Sequence, residues 1–479
     1  MLTADDYRAH DALGLAALVR AGEVTAAEVT EAALAQIDRL NPALNAVILR
    51  DDTQARAAAR AVPSGAPFTG VPFLAKDINV QVRGWPLTHA CRFFDGADSA
   101  TADSALARRW RAAGLAVIGR SNTPEFATDF ACEPELYGPT LNPWDKARTP
   151  GGSSGGAAAA VAAGMVPMAH ASDSGGSIRV PAACCGLFGF KPTSGRVATG
   201  SPLGPLVGGL NCDHVLSRSV RDSAAMLDAT AAPETGTPCP LAAPPAGGYL
   251  AALVQPPPPL RIGLCAAAAT GQHPEAEIAE LLTRTGQLLE SLGHHVAPFD
   301  WPGHIDAAEA AAPLWASEIA LLVEQRSQAL GRAPQNDELG PIVRFGLEAA
   351  ARLTMTDAAR LRRTRWDIRR RVAEVMAPFD ILLSPVTATP PPASGLLGDA
   401  ARRGVDDWGD LAEAFAPYTE IFNLTGQPAM SVPLHQGADG LPVGMQLAAR
   451  VGEDALLLRL ARQLEQAAPW AQRRPPTAA

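Results

Sequence analysis

The chain has 479 residues, of which 47% are hydrophobic, and a formal net charge of −9 with a pI near 5.5. This is enough apolar content for a large core in roughly one to three domains, while the acidic balance and the lack of any basic run or basic–aromatic stripe exclude nucleic acid as a partner. Seven scattered cysteines with no C-x-x-C pair exclude a zinc site or a disulfide framework, and no apolar stretch reaches the length of a membrane span, so a protein of the reducing cytoplasm with no membrane partner is expected.

The start of the chain has no positive end followed by an apolar run and does not read as a signal peptide. Residues 11–41 read as helix: Thr25 and Glu28 match a capping box, apolar positions recur at helical spacing, and Asn41-Pro42 ends the run. A short apolar run over 71–75 leads straight into Lys76. Residues 103–113 read as helix, with a strand at 116–118. The Gly/Ser-rich stretch 151–156 opens an alanine-rich helix ending near Gly164. A buried strand at 166–169 is followed by a second Gly/Ser turn over 172–177. Residues 233–259, rich in Pro, Ala and Gly, read as a loop or tether with no core role. Beyond it come a strand at 260–264 and a helix over 274–292, with Pro274 suited to a first helical position. A mostly helical region spans 305–378, and a strand at 381–383 is stopped by Pro385. Strands alternating with helices predict an α/β layered fold.

Only three lysines, Lys76, Lys146 and Lys191, stand among 40 basic residues. A coding bias toward arginine accounts for most of this. Lysine can nevertheless act as a base where arginine cannot, so a retained lysine gains weight as a proton-transfer group.

Residues 151–156 contain a literal Gly-x-Ser-x-Gly, the nucleophile-elbow pattern, which requires a strand before it and an acid and histidine after it. The preceding residues 145–150 make a poor buried strand, and His304 and His435 have no suitable setting. A phosphate loop would need Gly-Lys-Ser/Thr, which the chain lacks. The plain alternative is a flexible or helix-capping turn. The second turn changes the balance. Small residues before Ser177 let consecutive backbone N–H groups converge, as an oxyanion hole around a serine nucleophile requires. That serine needs a base, and Lys76 is the natural candidate, acting through Ser153. A lysine with a reference pKa of about 10.4 must be shifted by about three units to serve at pH 7, and the apolar run before Lys76 predicts the burial that would do so. The alternative for Lys76 is a salt bridge to Asp77 or another acid. Asp173 reads as an acceptor for loop amides ahead of a catalytic acid. Arg179 and Lys191 read as structural partners of carboxylates or carbonyls, Cys184-Cys185 as buried packing, and His170 as a satisfied core histidine. Trp315 has two readings, a pocket wall or ordinary helix packing.

These residues together resemble the amidase signature family. The resemblance rests on Lys76-Asp77, the run 151–156, the run 173–182 and Gly189-Phe190-Lys191-Pro192-Thr193. In the tail it rests on 422–429 and 440–446, so it covers most of the chain. Within the family, 122–125, 133–135, 142–144 and Pro469-Trp470 resemble bacterial hydrolases of nylon-type cyclic amides and broad-specificity or urethane-cleaving amidases. The resemblance implies one α/β/α domain over 1–479, with a mixed central sheet flanked by helices. Its catalytic core covers about 60–230 and a pocket-forming helical region about 305–420. It implies Ser177 as the acylated nucleophile, Ser153 as a bridging serine after a cis peptide bond and Lys76 as base. The amides of Ser174, Gly175, Gly176 and Ser177 become the oxyanion hole, with Ser154, Asp173 and Arg179 in support. Ser174 departs mildly from the family pattern, where Thr or Ile is commoner, but contributes only its backbone. The implied reaction is hydrolysis of a small-molecule amide or carbamate by a monomer or homodimer, with no metal or cofactor. Two rivals stand beside it: a glutamine-amidase subunit of a tRNA-dependent amidotransferase, and an inactive binding protein.

Overall fold

The apolar runs of the sequence become the inner strands of one mixed sheet. In the computed structural model, which describes residues 2–198, 206–232, 241 and 243–478, eleven strands follow one another along the chain. They are β1 (Val47–Arg50), β2 (Val71–Lys76), β3 (Leu115–Ser121), β4 (Met168–Asp173), β5 (Phe188–Lys191), β6 (Cys212–Ser217), β7 (Arg261–Leu264), β8 (His295–Pro298), β9 (Ile381–Pro385), β10 (Ala429–Gln436) and β11 (Pro442–Ala449). Their spatial order is β1-β3-β2-β4-β6-β5-β10-β11-β9-β7-β8. β2 is parallel to β3 and β4, and β7 to β8 and β9; the other pairs are antiparallel. Helices pack against this sheet, giving the α/β architecture that the alternation of elements predicts.

Every residue of β2, β3 and β4 is buried, as expected of strands covered on both faces. Their polar residues collect at the carboxyl ends: Lys76 on β2, Arg120 and Ser121 on β3, Ser172 and Asp173 on β4. Crevices at the carboxyl ends of parallel strands are where open α/β sheets bind ligands. The helix Gly155–Ala163 is also buried at every position, and its small residues permit that. A Cβ on Gly155 would sit 2.5 Å from Cys132 Cβ, and one on Gly156 would collide with the backbone of Asn122.

Several boundaries differ from the sequence reading. The span 11–41 is two helices, Ala12–Ala21 and Ala26–Leu44, because Gly22 takes a left-handed conformation (φ 73°) and ends the first. The Thr25–Glu28 capping box is present, and the second helix carries on through Pro42 to a left-handed Asn45 cap. Pro385 ends β9 from within the strand. Of the Pro-rich span 233–259, residues 233–240 and 242 lie outside the described residues. The remainder includes a short helix, Gly248–Ala252, whose Tyr249 is buried in the main core. The tether reading missed this contribution. The region 305–378 is three helices, Ala307–Leu330, Pro341–Ala350 and Met355–Met376.

Candidate active site

Three segments distant in sequence meet at the carboxyl ends of β2 and β4. β2 ends on Lys76, which is fully buried. Its Nζ lies 2.6 Å from Ser153 Oγ, 3.0 Å from Ser154 Oγ and 3.1 Å from Ser172 Oγ. No carboxylate pairs with it among the described residues. Asp77, its neighbour in sequence, turns the other way, accepting from the amides of Thr88 and Ala90 and the Thr88 hydroxyl, with Arg120 Nε 3.6 Å away. Burial pulls the Lys76 amine down to about 7, against the opposing pull of Cys132, Asp213 and Asp173.

Ser153 follows a cis peptide bond at Gly152, and Ser154 precedes the buried helix Gly155–Ala163. The Ser154 amide donates to the Ser177 carbonyl at 3.3 Å, tying the two Gly/Ser turns together. Ser177 is 7% exposed and Ser153 1%, so Ser177 is the more open of the two.

The turn between β4 and Ser177 is held from both sides. Asp173 accepts from Arg179 Nε at 2.9 Å and Nη2 at 2.8 Å, from the amides of Ile178 and Arg179, and from Asn423 Nδ2 at 2.9 Å. After the cost of burial, the Arg179 guanidinium is the main influence that brings this carboxyl down to about 2. Arg179 also donates to Thr419 O and Gln446 Oε1, both at 2.8 Å, and to Asn423 Oδ1 at 2.6 Å. From the far side the Thr419 hydroxyl donates to Gly175 O at 2.5 Å. Gly176 has φ +144°, and a Cβ on it would collide with Thr419. Among the described residues, no acceptor takes the amide N–H of Gly175, Gly176 or Ser177. Three successive donors are thus left without partners, as a turn that receives a developing negative charge requires.

His170, on β4, accepts from the Lys76 amide at Nδ1 (3.3 Å) and contacts Asp213 through Nε2 (3.1 Å). Asp213 Oδ2 accepts from Asn211, whose Oδ1 accepts from the Ser174 hydroxyl. A hydrogen-bonded line therefore joins the backbone of Lys76 to Ser174. Lys191 donates to Pro192 O, and Cys184 and Cys185 are buried free thiols.

Two cavities open on Ser177. One, of about 480 Å³, is lined by Gly175, Ser177 and Glu420 and walled by residues including Phe130, Ile342, Phe345 and Trp408. A narrow one adjoins Ser153, Ser172, Ser174 and Ser177. Trp315 lines both.

The family model for Amidase matches residues 28–458. The chain belongs to the amidase signature family. It is therefore a hydrolase acting on carbon–nitrogen bonds other than peptide bonds. This amidase is 34% identical over 484 residues to the 6-aminohexanoate-cyclic-dimer hydrolase of Paenarthrobacter ureafaciens, covering 97% of this chain and 96% of that protein. It superposes on a 6-aminohexanoate cyclic dimer hydrolase complexed with substrate with a TM-score of 0.93, at 32% identity, over 99% of this chain and 100% of the other. A bacterial aryl acylamidase of the amidase signature family matches with a TM-score of 0.86, at 26% identity, over 97% of each chain.

The amidase's site also includes residues that the sequence reading did not single out: Ser172 beside Lys76, Thr419 and Gln446 behind the turn, and Glu420 in the large cavity. Asn423 and Gln446 fall within the family's tail stretches, but nothing local in those stretches signals that they hold Arg179.

Proposed function

We propose that this amidase hydrolyses small amides, including anilides, cyclic amides and carbamates with a bulky, largely apolar acyl part, through an acyl-enzyme on Ser177. The observation that carries this reading is the buried Lys76 amine, paired with no carboxylate among the described residues and 2.6 Å from Ser153 Oγ. A neutral amine has two N–H donors and one lone pair, and Lys76 has three hydroxyl neighbours. Donation to Ser154 and Ser172 leaves the lone pair for the Ser153 proton.

Lys76 takes the Ser153 hydroxyl proton as Ser153 takes that of Ser177. Ser177 Oγ attacks the carbonyl carbon, and the tetrahedral oxyanion is received by the amides of the turn from Ser174 to Ser177. The proton returns through Ser153 to the leaving nitrogen as the C–N bond breaks. Water, deprotonated by the same relay, then cleaves the ester and frees Ser177. Ser154 and Ser172 orient the amine, and Asp173 with Arg179 holds the turn.

The apolar walls of the large cavity favour substrates with an apolar acyl part. The likeness to enzymes acting on a cyclic amide dimer and on aryl acylamides supports the same substrate range. The six described cysteines are free thiols, which supports a reducing, cytoplasmic location. No helix among the described residues is long and apolar enough to cross a membrane.

The test is a fluorophosphonate label followed by peptide mapping, with turnover on a panel of anilides, cyclic amides and carbamates. Labelling of Ser177, lost in Ser177→Ala, and turnover without a partner chain or nucleotide are expected. A label on Ser153 or Ser154, or activity only with tRNA and a second subunit, would overturn the reading.

A further inference from the structure

Ser177 stands where the two cavities meet, and only the narrow one adjoins Ser153. On the reading proposed above, Ser153 returns the proton to the leaving nitrogen, so that nitrogen sits on the narrow side. The acyl part then extends into the 480 Å³ chamber.

Two carboxyl groups interrupt the apolar wall near the turn. Asp129 is satisfied, accepting from Trp408 Nε1 at 3.1 Å and from the Ala131 amide at 3.4 Å. Glu420 is not. Its backbone carbonyl accepts from the amides of Asn423 and Leu424, but no donor among the described residues reaches its side-chain oxygens. The carboxyl lies against the oxyanion turn, with Oε1 3.4 Å from where a Gly175 Cβ would be. Glu420 is half-buried and lines the chamber, so a ligand that displaces water from its carboxyl must itself supply the donor.

We propose that Glu420 is a specificity-determining residue that binds a nitrogen donor, an amine or amide N–H, carried on the acyl part of the substrate close to the scissile carbonyl. The location fits this role, because Gly175, Ser177 and Glu420 all line the chamber and the Glu420 carboxyl lies against Gly175, two residues before Ser177. The charge setting agrees. Burial pushes the Glu420 carboxyl up to about 8, with Asp306 and Asp173 adding to the rise and Arg179 opposing it. The other charged groups lining the chamber are Asp129, Glu348 and Arg352. An ammonium brought beside this carboxyl favours its ionised form.

The experiment compares kcat/KM on the 4-nitroanilides of pentanoic, 2-aminopentanoic and 5-aminopentanoic acids for wild type, Glu420→Gln and Glu420→Leu. Wild type is expected to prefer at least one amino-bearing anilide by about 10- to 100-fold, the range of a hydrogen bond to a charged group. Glu420→Leu should abolish that preference through KM, and Glu420→Gln, which keeps an acceptor, should retain part of it. Turnover of the pentanoyl anilide with no preference for either amine, or the same ratio in Glu420→Leu, overturns the role of Glu420 while leaving the Ser177 reading intact. Failure of wild type both to turn over any anilide and to be labelled at Ser177 overturns both.

Discussion

Asp173 and Arg179 close a two-pronged ion pair across the turn that carries Ser177, with Nε at 2.9 Å from one carboxylate oxygen and Nη2 at 2.8 Å from the other. Both side chains are fully buried. The pair spans the segment whose amides have no acceptor, so it sets the shape of the turn independently of any substrate.

Arg179→Lys keeps the charge but loses the planar fork that reaches Asp173, Thr419, Asn423 and Gln446 together. Losing hydrogen bonds made by a charged group costs about 1.5–3 kcal/mol. A fall in unfolding free energy of that size is expected in denaturant titration, together with slower fluorophosphonate labelling. Unchanged stability would mean that the pair does not brace the turn.

Asp173 should also contribute to acid tolerance. Its carboxyl is held at about 2, below its ordinary value of 3.8. A depressed carboxylate contributes stability that is present above the unfolded value and lost as pH falls through the folded one. Stability should therefore drop between about pH 4 and pH 2, by about 2 kcal/mol from this group. Asp173→Asn should be less stable at pH 7 and show less of that acid-side loss. An acid limb identical to wild type would assign the loss to other carboxylates.

Lys76 must be neutral to accept a proton, so kcat/KM should rise with pH through about 7. Lys76→Ala should lose about 10²–10⁴-fold in rate along with most of that dependence. Lys76→Arg should fail equally, because guanidinium stays protonated. The folded amine is lowered from 10.5 to about 7, so the unfolded chain binds more protons between those values and stability should rise with pH across that window. Lys76→Met should flatten the rise. Near-normal turnover by the arginine variant would place the proton elsewhere.

Gly176→Ala tests the turn itself. The new methyl meets Thr419 and demands φ near +144°, a conformation that side chains rarely adopt. A loss of at least about 10²-fold in kcat is expected, comparable to removing one oxyanion donor. Gly175→Ala, whose Cβ would make only ordinary contact with Glu420 at 3.4 Å, should be milder. Equal rates for the two variants would remove Thr419 as the constraint.

Trp315 borders both cavities. Trp315→Ala should raise KM for substrates with large aryl acyl groups while sparing acetanilide. Loss of an aromatic wall is expected to cost about 10- to 100-fold in kcat/KM for the bulky series. An equal loss on both substrates would make Trp315 a packing residue.

The sequence by itself determined the class of fold and marked the candidate reactive elements. Lys76 after an apolar run, and serines set among glycines, are local requirements: a buried amine needs apolar flanks, and converging backbone amides need residues without bulk. Such requirements must be written within a few consecutive residues. Only the tertiary structure decided which partners those residues meet. The Asp77 carboxylate turns to Arg120 and Thr88, Ser172 joins the Lys76 amine, and Arg179 is held by Thr419, Asn423 and Gln446. The contacts of Arg179 depend on β5 lying beside β10 and β10 beside β11, which brings segments more than 200 residues apart to the same turn. Strand pairing of that kind is set by how the whole core closes, so no local pattern could disclose Glu420 in the chamber wall.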